Sequence, residues 1–168
     1  VYKRQAGANG LLALSVPIVK PNTIKCPTKD IRISDHGEWR HLHWNAIASA
    51  YGSSPFFEYY QDDIRPFFEK RYEFLLDFNE EIRRTVCNLI GLEPHIEYSS
   101  SYSEPAPGET DLRDAIHPKR RKAETILPVQ PKPYYQVFSE KYGFQPDLSI
   151  IDLLMNMGPE SILILQNT

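Results

Sequence analysis

The chain has 168 residues, 19 of them basic and 22 acidic, for a net charge of -3. That size fits one domain, and that balance excludes both a polybasic nucleic-acid binder and an acidic solvating tail. Apolar residues make up 41%, no apolar run approaches the ~18 residues of a membrane span, and the composition is that of a globular protein rich in Tyr, Phe and Pro.

The chain opens with Val1, and Val1 to Gln5 (VYKRQ) coincide with the translation of a transposon-based sequencing-adapter end in one reading frame. They are read as adapter-coded, with residues 6–168 as a single domain that lacks its N-terminal portion. A genuine short strand is the alternative. Ala8-Asn9-Gly10 followed by Leu12, Leu14, Val16 and Ile18 predicts a tight turn feeding a strand. After Pro17, Pro21 and Pro27, the alternation from Asp30 to Ser34 predicts a second short strand.

Glu38 to Tyr51 reads as a helix, with Trp39, His43, Ile47 and Tyr51 on one stripe and Gly52 as its stop. Ser54-Pro55 is the N-cap signal for a further helix carrying Phe56, Phe57, Tyr59 and Tyr60, which Pro66 restarts or kinks. Tyr72 to Ile90 is the clearest helical pattern, with Leu75, Phe78, Ile82, Val86 and Leu89 inward. Residues 93–132 then form a Pro-rich excursion. Seven of the 14 prolines fall there or at Pro133, and the basic run Lys119 to Lys122 lies within it. One helical turn is expected around Asp111 to Ile116, and the stretch from Ser103 to Lys132 is expected to be the least ordered. Tyr134 to Tyr142 is a short element of open type. Leu148 to Met157 is a helix with Asp147 near its cap, and a last apolar run covers Ile162 to Leu165.

Asp35-His36, His41 and His43 are the densest group of metal-ligand types. Residues two apart on a helix point about 200° away from each other, so His41 and His43 cannot share an ion and no metal site is expected. His43 on the apolar stripe suits a satisfied core or pocket-edge imidazole, with general acid–base work as the functional alternative. Cys26 and Cys87 form neither a disulfide framework nor a zinc site, which suits a reducing cytoplasm. Ser99 to Ser101 lacks a nucleophile-elbow frame and reads as loop, or as hydroxyl contacts to a substrate.

Several segments together resemble the WbqC-like family of bacterial proteins, in the form found in Bacteroidetes-type bacteria. They are Gly10 to Val19, Asp30 to Ser34, Trp39…His43…Ile47…Tyr51 with Pro55-Phe56, Leu75…Asn79, Ser99-Ser100, and the closing run from Gly143-Phe144-Gln145-Pro146 to Gly158-Pro159. The fold expected is α+β: a small N-terminal antiparallel or mixed sheet packed on a helical cluster, a long Pro-rich loop and a C-terminal helix. The resemblance implies a cytoplasmic protein of surface-glycan (lipopolysaccharide or O-antigen) biosynthesis. It would modify an activated sugar or transfer a group to it, with a nucleotide sugar or glycan intermediate as partner. A non-catalytic binding or assembly protein of the same pathway is the alternative. His43 and Asp111 are the candidate catalytic groups, and Asn79, Ser99, Ser100 and Arg113 the candidate substrate contacts. The sequence names no cofactor.

Overall fold

A computed structural model describes residues 3–23, 26–99, 101–112 and 132–166. Strands β1 (Arg4–Gly7) and β2 (Gly10–Ala13) form an antiparallel hairpin in the register Gly7↔Gly10 to Arg4↔Ala13. Arg4 and Gln5, two of the residues read as adapter-coded, thus take part in the ladder, and Gln5 is fully buried. The strand expected to run through Ile18 ends at Ala13. The Leu14 N–H still reaches the Lys3 carbonyl at 2.9 Å, after which the chain turns away and Pro17 offers no donor.

The second expected strand, Asp30 to Ser34, is also revised. Its start is wound into a 3-10 turn, Thr28–Asp30, and the remainder is an extended segment held by isolated bridges rather than a ladder. On one side the Val19 N–H donates to the Arg32 carbonyl and the Ser34 N–H to the Pro17 carbonyl. On the other, the Ile33 N–H donates to the Glu73 carbonyl and the Leu75 N–H to the Ile31 carbonyl, all four at 2.9 Å. One short extended segment therefore ties the region after β2 to the start of a distant helix.

The helices follow the apolar periodicity. Helix α1 (Trp39–Tyr51) buries Trp39, His43, Ile47, Ala50 and Tyr51, residues three or four apart on one face. Helices α2 (Phe57–Ile64) and α3 (Pro66–Glu69) meet at Arg65, with Pro66 at the first position of α3, where its missing N–H removes nothing from the helix. Ser54 is not the cap of α2. Its hydroxyl points backwards, donating to the Tyr51 carbonyl at 2.7 Å and closing the end of α1 instead. Helix α4 (Leu75–Leu89) buries Phe78, Ile82 and Val86. Each large side chain so buried contributes about 1.5–3 kcal/mol relative to exposure.

The described part of the excursion, residues 93–99, 101–112 and 132, contains no helix or strand. Asp111 and Leu112 are not helical there, and residues 113–116 of the expected turn, like the run Lys119 to Lys122, lie outside the described residues. The chain then forms α5 (Ser139–Tyr142), α6 (Ile150–Met157) and α7 (Ser161–Gln166). Asp147 does not cap α6: it sits at φ 59, and Ser149 occupies the cap position, its N–H donating to the Arg4 carbonyl at 2.7 Å. Residues 151–156 are all buried, and Ile151 and Met155 join α1, α2, α3 and α4 in one core. No described helix is long and apolar enough to cross a membrane.

Candidate functional site

His43 is 7% exposed. Its ring meets Trp39 edge-on at 5.2 Å and Phe68 at 6.5 Å. Burial in this aromatic setting disfavours the imidazolium and holds its pKa below the usual value. Asn79 is exposed on α4, and Ser99 and Asp111 are exposed in the excursion. Asp111 lines a cleft built by its own loop, residues 103–112, to which His43, Asn79 and Ser99 do not contribute. Ser100 and Arg113 lie outside the described residues.

A cleft of about 480 Å³ opens on the solvent side of α1, in front of Phe68. Its polar wall comes from the exposed first turns of α1, with Arg40, His41 and Asn45. Arg65 and Glu69 at α3, Arg71 just beyond, and Asp35 and Glu38 from before α1 also line it. Trp44 and Phe68 supply its apolar surface. The Trp44 ring stacks on Phe57 at 6.1 Å with planes 25° apart, and leans on Phe68 at 6.1 Å. The backbone that enters the cleft is strained: Glu38, a non-glycine residue, lies at φ 51, directly after Gly37 at φ 82. Such strain is concentrated at functional sites.

Five of the charged side chains in the cleft are paired. Arg40 donates to Asp35 at 2.5 Å, and Arg71 approaches the other oxygen of the same carboxylate at 3.6 Å. Arg65 pairs with Glu69 one helical turn on at 2.7 Å. The Arg40 hydrogen bond holds the Asp35 pKa below the usual carboxylate range, so the group stays ionised. His41 and Asn45 are hydrogen-bonded at 2.8 Å. A flat indole face beside guanidinium forks, carboxylates and an amide is chemistry suited to a polyhydroxylated ring carrying anionic groups. Sequence reasoning missed this cleft because its residues come from two separated segments, 35–45 and 65–71. The available signal was Arg40, His41, Trp44 and Asn45 at i, i+1, i+4 and i+5, which puts an aromatic on the polar face of an amphipathic helix.

A second polar constellation is closed to solvent. Asp152 on α6 is 1% exposed. It accepts hydrogen bonds from the Tyr51 hydroxyl at 2.9 Å, the Tyr134 hydroxyl at 2.7 Å and Gln136 Nε2 at 3.2 Å. Desolvation raises its pKa and pushes both phenols well above theirs. Gln136 also donates to the Gln145 carbonyl at 3.0 Å and accepts from the Gln145 N–H at 2.9 Å. This hub joins α1 and α6 to residues 134–136. Among the described residues, no three of His, Cys, Asp and Glu come together as metal ligands.

The uncharacterized protein Rv1507c of Mycobacterium tuberculosis is 23% identical over 176 residues, covering 92% of this chain and 75% of the relative. No solved structure matches the chain. A match to the WbqC-like protein family spans residues 3–136, which takes in the hairpin, the helices α1 to α4 and every residue of the cleft. With four fifths of its length inside that match, the chain belongs to the WbqC-like protein family.

Proposed function

We propose that this is a protein of bacterial surface-glycan biosynthesis that binds an activated sugar in the cleft between α1 and α3, and modifies it or transfers a group to it. The observation that carries the reading is the cleft itself: Trp44 offers a flat apolar face beside Arg40, Arg65 and Arg71. Sugars and nucleobases stack on such a face, and guanidinium forks match phosphate and carboxylate oxygens. His43 acts as a positioning residue here, packing behind Phe68, which lines the cleft. Asn79, Ser99 and Asp111 are not part of the lining.

The test is a calorimetric screen of nucleotide sugars and acyl donors, followed by mass spectrometry of the incubated mixtures. The reading expects a nucleotide sugar to bind, and Trp44→Ala and Arg40→Ala each to abolish that binding. A bound ligand indifferent to both substitutions sinks it. The alternative, a binding or assembly protein without turnover, is favoured by one feature. Asp35 is held ionised by Arg40 and has no proton to give as a general acid. Binding without any product supports that alternative.

A further inference from the structure

The cleft carries three arginines, Arg40, Arg65 and Arg71, and three carboxylates, Asp35, Glu38 and Glu69. Its formal charge is therefore balanced, and an anionic ligand gains little from the field of the empty site. Each of the three arginines already faces a carboxylate, so an anionic ligand competes with that carboxylate for it. The two salt-bridged groups differ in how readily they yield. Arg65 and Glu69 are neighbours on successive turns of one helical segment, so their pairing is local. Asp35, by contrast, reaches across from the turn before α1 to both Arg40 and Arg71, and its side chain is half exposed.

Arg40 keeps donors that Asp35 does not use. Its side chain is only 15% exposed, its guanidinium lies over the Trp39 ring at 4.7 Å, and its buried Nε has no hydrogen-bond partner. Guanidinium has five donors in a fixed fork, and Asp35 engages one of them. A buried donor left over in an otherwise fixed side chain calls for an explanation.

We propose that Asp35 is an internal occupant of a phosphate subsite: Arg40 and Arg71, which it holds in the free protein, take the phosphate groups of the ligand, and Asp35 is displaced when the ligand binds. The subsite lies at the Asp35 end of the cleft, with Trp44 left to face the ring. Asp35 then sets affinity by competition, and a ligand without an anionic group has no means of displacing it. This inference rests on reading the cleft as the site of an activated sugar.

The experiment measures binding of inorganic pyrophosphate, of UDP and of an uncharged methyl glycoside to the wild type, Asp35→Asn and Arg71→Ala, with thermal melting to verify folding. Asp35→Asn removes the competing charge and is expected to bind pyrophosphate and UDP about fivefold more tightly, leaving the glycoside unchanged. Arg71→Ala, altering a side chain 82% exposed, is expected to weaken both anions. The proposal is overturned if Asp35→Asn binds pyrophosphate no more tightly than the wild type, if Arg71→Ala binds it equally well, or if no protein binds it at all. Should Asp35→Asn not fold, the Arg71→Ala result decides by itself. A nucleotide sugar that binds the wild type while Asp35→Asn gains nothing removes this inference and keeps the functional reading. A gain on pyrophosphate with no nucleotide sugar bound does the reverse.

Discussion

Tyr51, the last residue of α1, donates its hydroxyl to Asp152 of α6 across 2.9 Å, over a separation of 101 residues. Tyr134 and Gln136 complete the shell of the same carboxylate. A buried carboxyl with three donors is tolerable, whereas one with a donor removed is left with desolvation it cannot offset. Tyr51→Phe is therefore expected to lower stability by about 2 kcal/mol, and Tyr134→Phe by a similar amount. The double variant should depart from additivity because both donors serve one group. Urea unfolding at neutral pH measures all three. A loss below about 0.5 kcal/mol for both single variants, the range of ordinary surface substitutions, would remove the hub from the account of stability.

The same hub fixes a pH dependence. Desolvation raises the folded-state pKa of Asp152 above its unfolded value, against the pull of its three donors. The folded chain thus holds a proton that the unfolded chain has released, and raising the pH through that window withdraws stability. Asp35, Glu80 and Glu81 have lowered pKa values and act in the opposite direction, but they are common to wild type and variant. The stability of the wild type minus that of Asp152→Asn should therefore fall as pH rises above about 4, by at most about 1.4 kcal/mol per unit. Denaturant titrations at several pH values test this. A difference that is flat or rises with pH contradicts the assigned direction.

The parts of the fold that could be read from sequence were those with local causes. The inward stripe of α4, Phe78, Ile82 and Val86, is helical periodicity seen directly, and the hairpin turn at Ala8-Asn9 is local turn chemistry. The misreadings have long-range causes. Ile31 and Ile33 alternate as a strand would, yet their partners, residues 17–19 and 73–75, arrive from both sides and supply single bridges instead of a ladder. Ser54 had a suitable helix start after it, but its hydroxyl was taken by the Tyr51 carbonyl before it. The cleft was less legible still. Asp35 stands out in the sequence only as a metal-ligand type beside His36, and Arg65 and Arg71 carry no local signal; their meaning depends on the fold placing them along one cleft with Trp44. Nothing in the sequence around Asp152 signals its burial, because its partners Tyr51, Tyr134 and Gln136 lie 101, 18 and 16 residues away.

His43 gives a second pH dependence, of opposite sign. Burial lowers its folded-state pKa below the usual histidine value of about 6.5. In that window the unfolded chain takes up a proton that the folded chain refuses, so acidification favours unfolding. Replacement by Leu keeps an apolar group of similar size between Trp39 and Phe68 and removes the titration. The stability of the wild type minus that of His43→Leu should rise with pH up to about 6.5 and be level above it. A direct check is an NMR titration of the ring, whose midpoint in the folded protein is expected below 6.5. A midpoint above that value contradicts the assignment.

Gly158, where α6 ends, lies at φ 55, and a Cβ placed on it would sit 2.5 Å from Cδ1 and Cε1 of Phe56 and 2.7 Å from Cγ. Two separate costs follow for Gly158→Ala. The backbone conformation is strained for any residue with a side chain, by roughly 1 kcal/mol or more. The methyl also meets the base of the aromatic ring rather than its tip, so a small ring rotation does not clear it. Phe56 has little freedom to retreat: its N–H donates to the Met155 carbonyl at 3.1 Å, and its ring lies against Tyr59 and Tyr60. Overpacking of this kind costs about 1–3 kcal/mol, so a total near 3 kcal/mol is expected, a large part of a typical domain's ~5–15 kcal/mol. Gly91→Ala is the control, because Gly91 lies at φ 69 with no atom within 4 Å of the added Cβ. It should show the backbone cost alone. Adding Phe56→Ala to Gly158→Ala should recover the steric part and leave the backbone part, giving a favourable coupling in a double-mutant cycle. If Gly158→Ala and Gly91→Ala melt alike, the close approach of α6 to Phe56 is not what places glycine at this position.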